Sequence, residues 1–249
     1  MFFARPMKYK YKFSIIVPAY NEKNRILRTL DNIYKHFQNQ NSEIIIVDDG
    51  STDNTASFIE YEKENIGDNI KIISYKPNKG KGYAVKKGVE KAQGEFILFT
   101  DADNSTPIEE FKKLFAGLQK GFDIAIGSRY LKNSDVKIKQ NILRILIGRL
   151  GNLLIQLLLV KNIKDTQCGF KLFKNKIAKN IFTQQTIYGW GFDMEILAIA
   201  QLFKYKIIEI PVDWYNSADS KFSPIKDTFQ TLSELIKIKI NLITGKYKK

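Results

Sequence analysis

The sequence is poor in the side chains that build cross-links and metal clusters. It has one cysteine, Cys168, and one histidine, His36, among its 249 residues. One cysteine cannot form an intrachain disulfide framework, and so few thiol and imidazole groups exclude a zinc cluster. We therefore expect the chain to fold on its apolar core in a reducing compartment, which predicts a cytoplasmic protein.

Long hydrophobic runs are also missing. The most apolar run, Leu150–Val160, has 11 residues and includes Gly151, Asn152 and Gln156. A membrane-spanning helix needs about 20 predominantly apolar residues. Met1–Lys12 is basic but lacks the apolar region of a secretory signal. The sequence therefore predicts a chain that does not cross a membrane.

Two common nucleotide-binding signatures are absent. The sequence contains neither the G-x-x-x-x-G-K-[ST] loop of P-loop NTPases nor the G-x-G-x-x-G turn of dinucleotide-binding proteins. Gly80-Lys81-Gly82 resembles a phosphate loop only weakly. Its neighbours Lys76 and Lys79, together with Lys81, can face a diphosphate or lie on a solvated surface. Both protein classes are therefore disfavoured.

Acidic residues are outnumbered, since 26 Asp and Glu stand against 40 Lys and Arg, for a net charge of +14. This excess attracts nucleic acid, an anionic membrane or phosphorylated substrates, although a lysine-rich solvated surface gives the same count. No helix-turn-helix, RRM or zinc-finger pattern accompanies the charge. We therefore expect no nucleic-acid partner.

Short apolar strands alternate with amphipathic helices over the first 130 residues, which predicts βαβ units around a largely parallel sheet. The predicted strands are Phe13–Val17, ended by Pro18, then Glu43–Val47, Ile70–Tyr75, Phe96–Thr100 and Asp123–Ser128, and the predicted helices are Asn24–Gln38, Thr55–Asn65, Tyr83–Ala92 and Pro107–Lys120. Further helices are predicted over Ile138–Val160, Trp190–Phe203 and Ile225–Ile243, with extended segments at Thr166–Phe173 and Lys206–Val212. We interpret residues 1–249 as a single α/β domain in which residues 13–130 bind a nucleotide ligand and residues 131–249 form an acceptor half.

Polar clusters lie at the ends of the predicted strands. They are Pro18–Glu22, Asp48–Ser51, Asn78–Gly82 and Asp101–Asp103. Ligands of open parallel sheets bind beyond the carboxyl ends of the strands, so we expect these clusters to converge on one site.

Asp101 and Asp103 form the sharpest pattern among these clusters. Side chains at i and i+2 of an extended segment point the same way. Two such carboxylates suit Mg²⁺ or Mn²⁺, which take their other ligands from water and substrate phosphates. An Asx-turn, or a helix cap supplied by Asp103, Ser105 or Thr106, is the alternative.

Similarly, a carboxylate at Asp48–Ser51 can accept hydrogen bonds from a ribose or a base, or can act as a cap.

Five motifs in order resemble family 2 glycosyltransferases with a GT-A fold, in which helices flank a Rossmann-like, mostly parallel central sheet. They are Ser14–Glu22, Val47–Ser51, Asn78–Gly82, Asp101–Asp103 and Gly127–Tyr130. In the second half, Asp165–Phe173, Gly189–Glu195 and Glu209–Val212 are similar to dolichyl-phosphate β-glucosyltransferases and, less closely, to the corresponding mannosyltransferases. The family's Gly-Ser-Lys sequence reads Asp219-Ser220-Lys221 here, which leaves the donor sugar open.

The resemblance implies a site for a nucleotide sugar and a divalent metal. By family position, the nucleotide-sugar contacts are Pro18, Tyr20, Glu22, Val47, Asp49, Lys81, Asp101, Ala102, Ser105 and Lys221, the metal ligands are Asp101 and Asp103, and Arg129 is a catalytic residue near the phosphates. Arg144 and Arg149, which interrupt an apolar stretch, are additional candidates for contacts with an acceptor phosphate, alongside Arg129.

The implied reaction is inverting transfer of a hexose, glucose from UDP-glucose in the first instance, to a polyprenyl or dolichyl phosphate. A phosphate monoester is largely ionised near pH 7, since its second pKa is about 6, so it needs cations rather than a strong base. Two alternatives remain open. One is a mannosyltransferase that uses GDP-mannose, and the other is a transferase acting on a saccharide hydroxyl, for which Asp193 or Glu195 would be the base.

A lipid acceptor also implies a position at the membrane surface, on its cytoplasmic face. The segments Ile142–Val160 and Ile225–Lys249 combine apolar side chains with lysine and arginine. This combination is typical of interfacial helices. Packing of both segments into the core, or into a dimer interface, is the alternative.

Overall fold

Strands and helices alternate along most of the chain, and a computed structural model describes residues 9–136, 151–215 and 224–248, with side chains in the last segment described from residue 229. The strands are β1 (Tyr11–Ala19), β2 (Ser42–Asp48), β3 (Ile70–Ser74), β4 (Gly94–Thr100), β5 (Ile124–Ser128), β6 (Phe170–Lys174) and β7 (Ile207–Pro211). The helices are α1 (Ile26–Phe37), α2 (Thr55–Ile66), α3 (Lys81–Lys91), α4 (Phe111–Gln119), α5 (residues 151–158), α6 (Asn175–Gln184), α7 (Phe192–Leu202) and α8 (Pro224–Ile243), with a 3-10 turn at Ile108–Glu110.

The seven strands form one sheet in the order β3-β2-β1-β4-β6-β5-β7. β1 pairs in parallel with β2 and β4, β2 with β3, and β5 with β7. Among the described strands, β6 alone runs antiparallel to its neighbours, so that Phe170 at its start lies opposite Thr100 at the end of β4. The predicted α/β class with a mostly parallel central sheet is confirmed.

The central strands are buried on both faces, because successive side chains point into two different apolar layers. On β1, Ile16 packs into a layer formed with α3, α6, α7 and α8. Its neighbours Ile15 and Val17 pack into the opposite layer, with α1 and α4. This double burial explains why the strands read as continuous apolar runs rather than as alternating ones.

Pro18 lies inside β1, so the prediction that it ends the strand is wrong. It takes register opposite Val47 of β2. The pairing of β1 with β4 stops at Ile16, opposite Phe99. A proline has no amide hydrogen to donate, and at this position the ladder on the β4 side has already ended.

The second half contains a helix that the sequence analysis does not predict. It is α6, whose buried residues Ala178, Ile181 and Phe182 have helical spacing. Within the described ranges, no helix is both long and apolar enough to cross a bilayer. Of the predicted helix Ile138–Val160, residues 137–150 lie outside the described part of the chain.

Helix α3 packs unusually close to the sheet at Gly88. A β-carbon built on this glycine would overlap with the Cγ2 atom of Ile16, whose side chain is fully buried. The absence of a side chain at Gly88 therefore sets the distance between α3 and β1. Because α3 begins at Lys81, this distance also sets the position of the glycine loop before it.

Gly88→Ala should destabilise the protein, although alanine is the better helix former by about 1 kcal/mol. Overpacking of a closely packed core costs about 1–3 kcal/mol. The matched control is Gly151→Ala in α5, where a β-carbon meets no atom within 4 Å. Chemical denaturation should show a loss for Gly88→Ala and none for Gly151→Ala. An equal response of the two variants would show that the contact with Ile16 does not limit the packing.

Candidate functional site

The carboxyl ends of β1, β2 and β4 lie side by side, and the four predicted polar clusters meet there. The backbone amide of Asn21 donates to Ser51 Oγ at 2.8 Å, which joins the cluster after β1 to the cluster after β2. Asp49 then contacts the glycine loop, and Lys81 from that loop contacts Asp101. The predicted convergence on one edge of the sheet is confirmed.

Asp49 holds the glycine loop in place. Its carboxylate oxygens accept hydrogen bonds from the backbone amides of Lys79 and Gly80, both at 2.8 Å. The Asn78 side-chain amide donates to the backbone carbonyl of Asp49 at 2.9 Å. This structural role was not predicted from the sequence. The nucleoside contact expected for Asp49 stays a prediction.

Two glycines bring the loop against the second half of the chain. Gly80 has a φ of 101°, and a β-carbon there would overlap with the carbonyl oxygen of Tyr188. The amide of Gly82 donates to the same carbonyl oxygen at 2.8 Å. Glycine is therefore needed at position 80 both for its backbone conformation and for this close approach.

Lys81 and Asp101 form an ion pair at the centre of the site. The Lys81 Nζ atom lies 2.6 Å from Asp101 Oδ1. Burial lowers the pKa of Lys81, but the carboxylates of Asp101 and Asp193 raise it by more, so the ammonium form is favoured. Behind Asp101, a β-carbon on Gly169 would overlap with its carboxylate. Asp101 is thus confined between Lys81 and the backbone that precedes β6.

Asp103 lies two residues further on, in a turn. Its Oδ1 atom accepts a hydrogen bond from the amide of Ser105 at 2.9 Å, so the Asx-turn considered as an alternative is present. Burial, followed by the negative charge of Asp101, raises the pKa of Asp103. The intervening Ala102 is buried, and its carbonyl accepts from Thr29 Oγ1 at 2.7 Å.

These two carboxylates fit a divalent cation that is shared with a substrate. Their like charges disfavour ionisation of Asp103, and a cation between them would relieve that repulsion. No group of three or more His, Cys, Asp or Glu side chains suited to a metal occurs among the described residues. Mg²⁺ and Mn²⁺ commonly bind through one or two carboxylates plus phosphate oxygens, so a pair such as Asp101 and Asp103 could hold one together with a diphosphate.

A second ion pair lies beneath the first. The fully buried Lys171, on β6, pairs with Asp193, on the first turn of α7. Burial raises the pKa of Asp193, and the ammonium groups of Lys171 and Lys81 offset only part of this rise. Asp193 is 3% exposed. A carboxylate so placed neutralises the two lysines and has little access to a substrate hydroxyl.

Glu195, two residues along α7, has a structural role. It is fully buried and accepts hydrogen bonds from the amides of Thr186 and Ile187, at 2.8–3.0 Å. The hydroxyl of Tyr247 donates to it at 2.8 Å. All these contacts tie the segment before α7 to the chain beyond α8.

Arg129 is held by a carboxylate that was not predicted to belong to the site. Its Nε and Nη2 atoms donate to the two oxygens of Asp165 at 2.7 and 2.9 Å, and its backbone amide donates at 2.9 Å. Asp165 is fully buried, and although burial raises its pKa, Arg129 and Lys171 together lower it by more. The rings of Tyr130 and Trp214 lie 5.5 Å from the guanidinium carbon. Asp165 thus orients Arg129, whose side chain remains 20% exposed.

The residues predicted to contact the nucleoside differ in their exposure. Tyr20 is 37% exposed at the edge of the site. Glu22 is paired with Arg25. Pro18 and Val47 are buried in the sheet. Ser105 is also mostly buried, and its carbonyl accepts from the amide of Tyr215. Their nucleoside or diphosphate contacts stay predictions.

A polar cavity of about 250 Å³ opens beside these residues, at the carboxyl ends of β2 and β3. Asp48, 4% exposed, faces it and accepts from the Ser51 amide at 3.2 Å. The cavity is lined by Asp48, Ser51, Asn54, Ala56, Ser57, Ser74, Tyr75 and Lys76. Its carboxylate and hydroxyl groups can bind a ribose or a base. Arg144, Arg149 and Lys221 lie outside the described residues.

Known proteins resemble this chain in sequence over nearly its whole length. The family model described as glycosyl transferase family 2 matches residues 14–182. Dolichyl-phosphate beta-glucosyltransferase from Dictyostelium discoideum is 38% identical over 249 residues, which cover 94% of this chain and 76% of the relative. The Homo sapiens protein of the same name is 34% identical over 251 residues, covering 95% and 78%.

The fold is also that of known glycosyltransferases. Glucosyl-3-phosphoglycerate synthase from Mycobacterium tuberculosis, solved with Mn²⁺, UDP-glucose and phosphoglyceric acid, superposes with a TM-score of 0.68 at 17% identity, covering 92% of this chain and 80% of that one. This similarity confirms the predicted GT-A fold. Because the family model covers most of the chain and the curated relatives exceed 30% identity across it, the chain belongs to glycosyltransferase family 2.

Proposed function

We propose that this enzyme transfers glucose, with inversion, from UDP-glucose to dolichyl phosphate or another polyprenyl phosphate, and that it requires Mg²⁺ or Mn²⁺. The observation that carries the proposal is the pair of carboxylates Asp101 and Asp103 at the end of β4, with Lys81 beside them. The relatives named above support the sugar and the acceptor. The similar structure that holds Mn²⁺ and UDP-glucose supports the donor and a divalent metal.

Asp101 and Asp103 would hold the metal, and the diphosphate of the donor would complete its ligands. A metal held by these residues would supply Lewis-acid chemistry, neutralising charge on the departing nucleoside diphosphate. The side chain of Lys81 lies at the same edge, where it would orient the donor. The cavity beside Asp48 is the place for the nucleoside.

An ionised phosphate as acceptor agrees with the state of the carboxylates in the second half. A hydroxyl acceptor needs a side-chain base within hydrogen-bond reach. Both residues considered for that role are engaged: Asp193 pairs with Lys171, and Glu195 accepts from backbone amides and Tyr247. A phosphate needs instead a cation to hold it, and Arg129, oriented by Asp165, supplies one.

The α5/α8 apolar surface supports contact with a bilayer. On α8 one face is buried through Leu235 and Ile238, while the opposite face carries an exposed apolar stripe. Lys239 Nζ donates to the carbonyl of Leu158 at 2.9 Å, so α5 lies against α8. The surface consists of Phe229, Leu232, Ile236, Ile240 and Ile243 on α8, and Leu153, Leu154, Leu157 and Leu158 on α5, each 39–75% exposed.

We assign a lipid bilayer as the occupant of this surface. The proposed acceptor is itself a membrane lipid. The basic residues Lys237, Lys239, Lys246 and Lys248 follow one another along α8 and the residues after it. Each lysine near an anionic surface contributes about 1 kcal/mol, and salt weakens this attraction. The enzyme would therefore work as a peripheral protein on the cytoplasmic face of a membrane.

A matrix of donors and acceptors tests the proposed reaction. UDP-glucose with undecaprenyl or dolichyl phosphate, in Mg²⁺ or Mn²⁺, should give the glycolipid, and excess EDTA should stop the reaction. If the enzyme prefers GDP-mannose, then GDP-mannose and not UDP-glucose is the donor. Transfer to a soluble saccharide but not to the lipid phosphate would refute the acceptor.

Asp103→Asn should abolish transfer without destabilising the protein, because it weakens a ligand for the cation and not the core. The raised pKa of Asp103 means that the folded chain binds this proton more tightly than the unfolded chain does. Wild-type stability without metal therefore falls as the pH rises through that pKa, and the variant escapes this loss.

Thermal unfolding in a chelator should thus give the Asn variant a Tm equal to or above that of the wild type at neutral pH. The difference should shrink as the pH is lowered through the raised pKa, where the wild-type carboxyl becomes protonated. Wild-type turnover by the variant would contradict the metal assignment, and a lower Tm at neutral pH would contradict the destabilising charge of Asp103.

The double variant Arg129→Met with Asp165→Asn tests the acceptor phosphate. Removing Arg129 alone leaves a buried carboxylate without its partner, which costs about 3–5 kcal/mol of stability and confuses the result. The double variant removes both charges. Losing a cation from a desolvated phosphate costs about 2–5 kcal/mol, so kcat/KM for the lipid phosphate should fall at least about 30-fold. The Kd for UDP with Mn²⁺ is the control and should not change. An unchanged kcat/KM in the folded variant would remove Arg129 from this role.

Wild-type protein should sediment with anionic vesicles at low salt and be released by added salt. Ile236→Glu with Ile240→Glu should abolish this binding, because two charges then interrupt the α5/α8 apolar surface. Tyr61→Glu is the control, since Tyr61 is 78% exposed but lies on α2. If the protein stays in the supernatant, or if the double variant instead dissociates a dimer, the surface does not bind membranes.

A further inference from the structure

Lys81 forms an ion pair with Asp101, a carboxylate that the proposed metal needs as a ligand. Its Nζ atom lies 2.6 Å from Asp101 Oδ1, and its side chain is 18% exposed. Asp103 and Asp193 add further negative charge around it. The Trp190 ring lies 5.6 Å from Nζ on another side. The ammonium group therefore has the surroundings of a bound cation.

A metal ion and this ammonium group compete for the same oxygens. Two cations that close together repel each other, and Asp101 has only one carboxylate to offer. Asp101 cannot withdraw, because Gly169 lies directly behind its carboxylate. Lys81 has a flexible four-carbon side chain and stands on the first turn of α3. When a metal binds, Lys81 is the group that moves.

Two groups of the protein attract the ammonium group besides Asp101. The Trp190 ring lies 5.6 Å from Nζ, and the negative charge of Asp193, itself paired with Lys171, also acts on it. The donor diphosphate, once bound at the metal, would provide a stronger acceptor, because it carries several charged oxygens. Most of the free energy lost at Asp101 is therefore recovered when the diphosphate arrives.

We propose that Lys81 is a displaceable counter-ion of Asp101, a positioning residue that gives way to the metal and then binds the donor diphosphate. This inference rests on the proposed function only in taking Asp101 as a metal ligand. It requires the metal alone to bind weakly, and metal and nucleoside diphosphate to strengthen each other's binding. That coupling is reciprocal, so it can be measured from either ligand.

Mn²⁺ binding to the whole protein, followed by electron paramagnetic resonance with and without UDP, tests the proposal. Lys81→Met should bind Mn²⁺ without UDP about tenfold more tightly than the wild type, since its competitor is gone. The factor by which UDP tightens Mn²⁺ binding should fall by a similar amount. Lys87→Met is the matched control, because Lys87 lies on the same helix and pairs with Glu90. It should leave both quantities unchanged.

Lys81→Arg provides an independent check, because it keeps the positive charge. Its Mn²⁺ affinity without UDP should remain close to that of the wild type. The proposal is overturned if Lys81→Met binds Mn²⁺ no more tightly than the wild type, or if Lys81→Arg binds it as tightly as Lys81→Met. These readouts need no acceptor and no turnover. They therefore stand even if the enzyme uses another sugar or another acceptor.

Discussion

The site depends on one constraint, the reversed direction of β6 between β4 and β5. Because β6 is antiparallel, its first residues lie at the carboxyl edge of the sheet, where a parallel strand would have placed its last ones. The loop before β6 thus brings Asp165 to Arg129 and Gly169 to Asp101. The first half of the chain supplies Asp101, the carboxylate proposed to bind the cation, and the guanidinium group of Arg129, and the loop from the second half holds both in place.

The charged groups of the site form a series that begins with two negative groups and then alternates in sign. Asp103 and Asp101 come first, Lys81 follows, and Asp193 and Lys171 end the series in the core. Each lysine has a carboxylate partner, while the two aspartates after β4 share a single lysine. The deficit of positive charge therefore falls at Asp103 and Asp101, the end of the series proposed to bind the cation. Buried ion pairs are stable only when their geometry satisfies each group, and here the sheet supplies that geometry.

The sequence predicts features that depend on neighbouring residues, and it misses features that depend on contacts between residues far apart in the chain. Polar residues that follow an apolar strand are a local feature, so the sequence predicts the clusters at Asp49 and Asp101. The rule that ligands bind beyond the carboxyl ends of parallel strands predicts that these clusters lie together. Asp165 was not assigned a partner, because its role depends on the direction of β6, which no local pattern reveals. Helix α6 is not predicted although Ala178, Ile181 and Phe182 have helical spacing, because its 10 residues are shorter than the stretch over which a helical period becomes distinct. The loop-holding role of Asp49 comes from hydrogen bonds to residues 30 positions away, beyond the range of sequence patterns.

Helix α8 contacts the site on one side and carries the apolar stripe on the other. The thickness of the helix therefore sets the distance between the site and the stripe. On its inner side Glu234 accepts a hydrogen bond from the amide of Gly191 at 2.7 Å, next to Trp190 and Lys81. On its outer side lies the apolar stripe. A helix with side chains is about 10–12 Å thick. With the stripe on a bilayer, the sugar-transfer site stands about one helix thickness above the hydrocarbon, at the level of the lipid head groups. The phosphate of a lipid acceptor already lies at that level, so it would approach Lys81 and Trp190 by lateral diffusion, with its hydrocarbon tail still in the membrane.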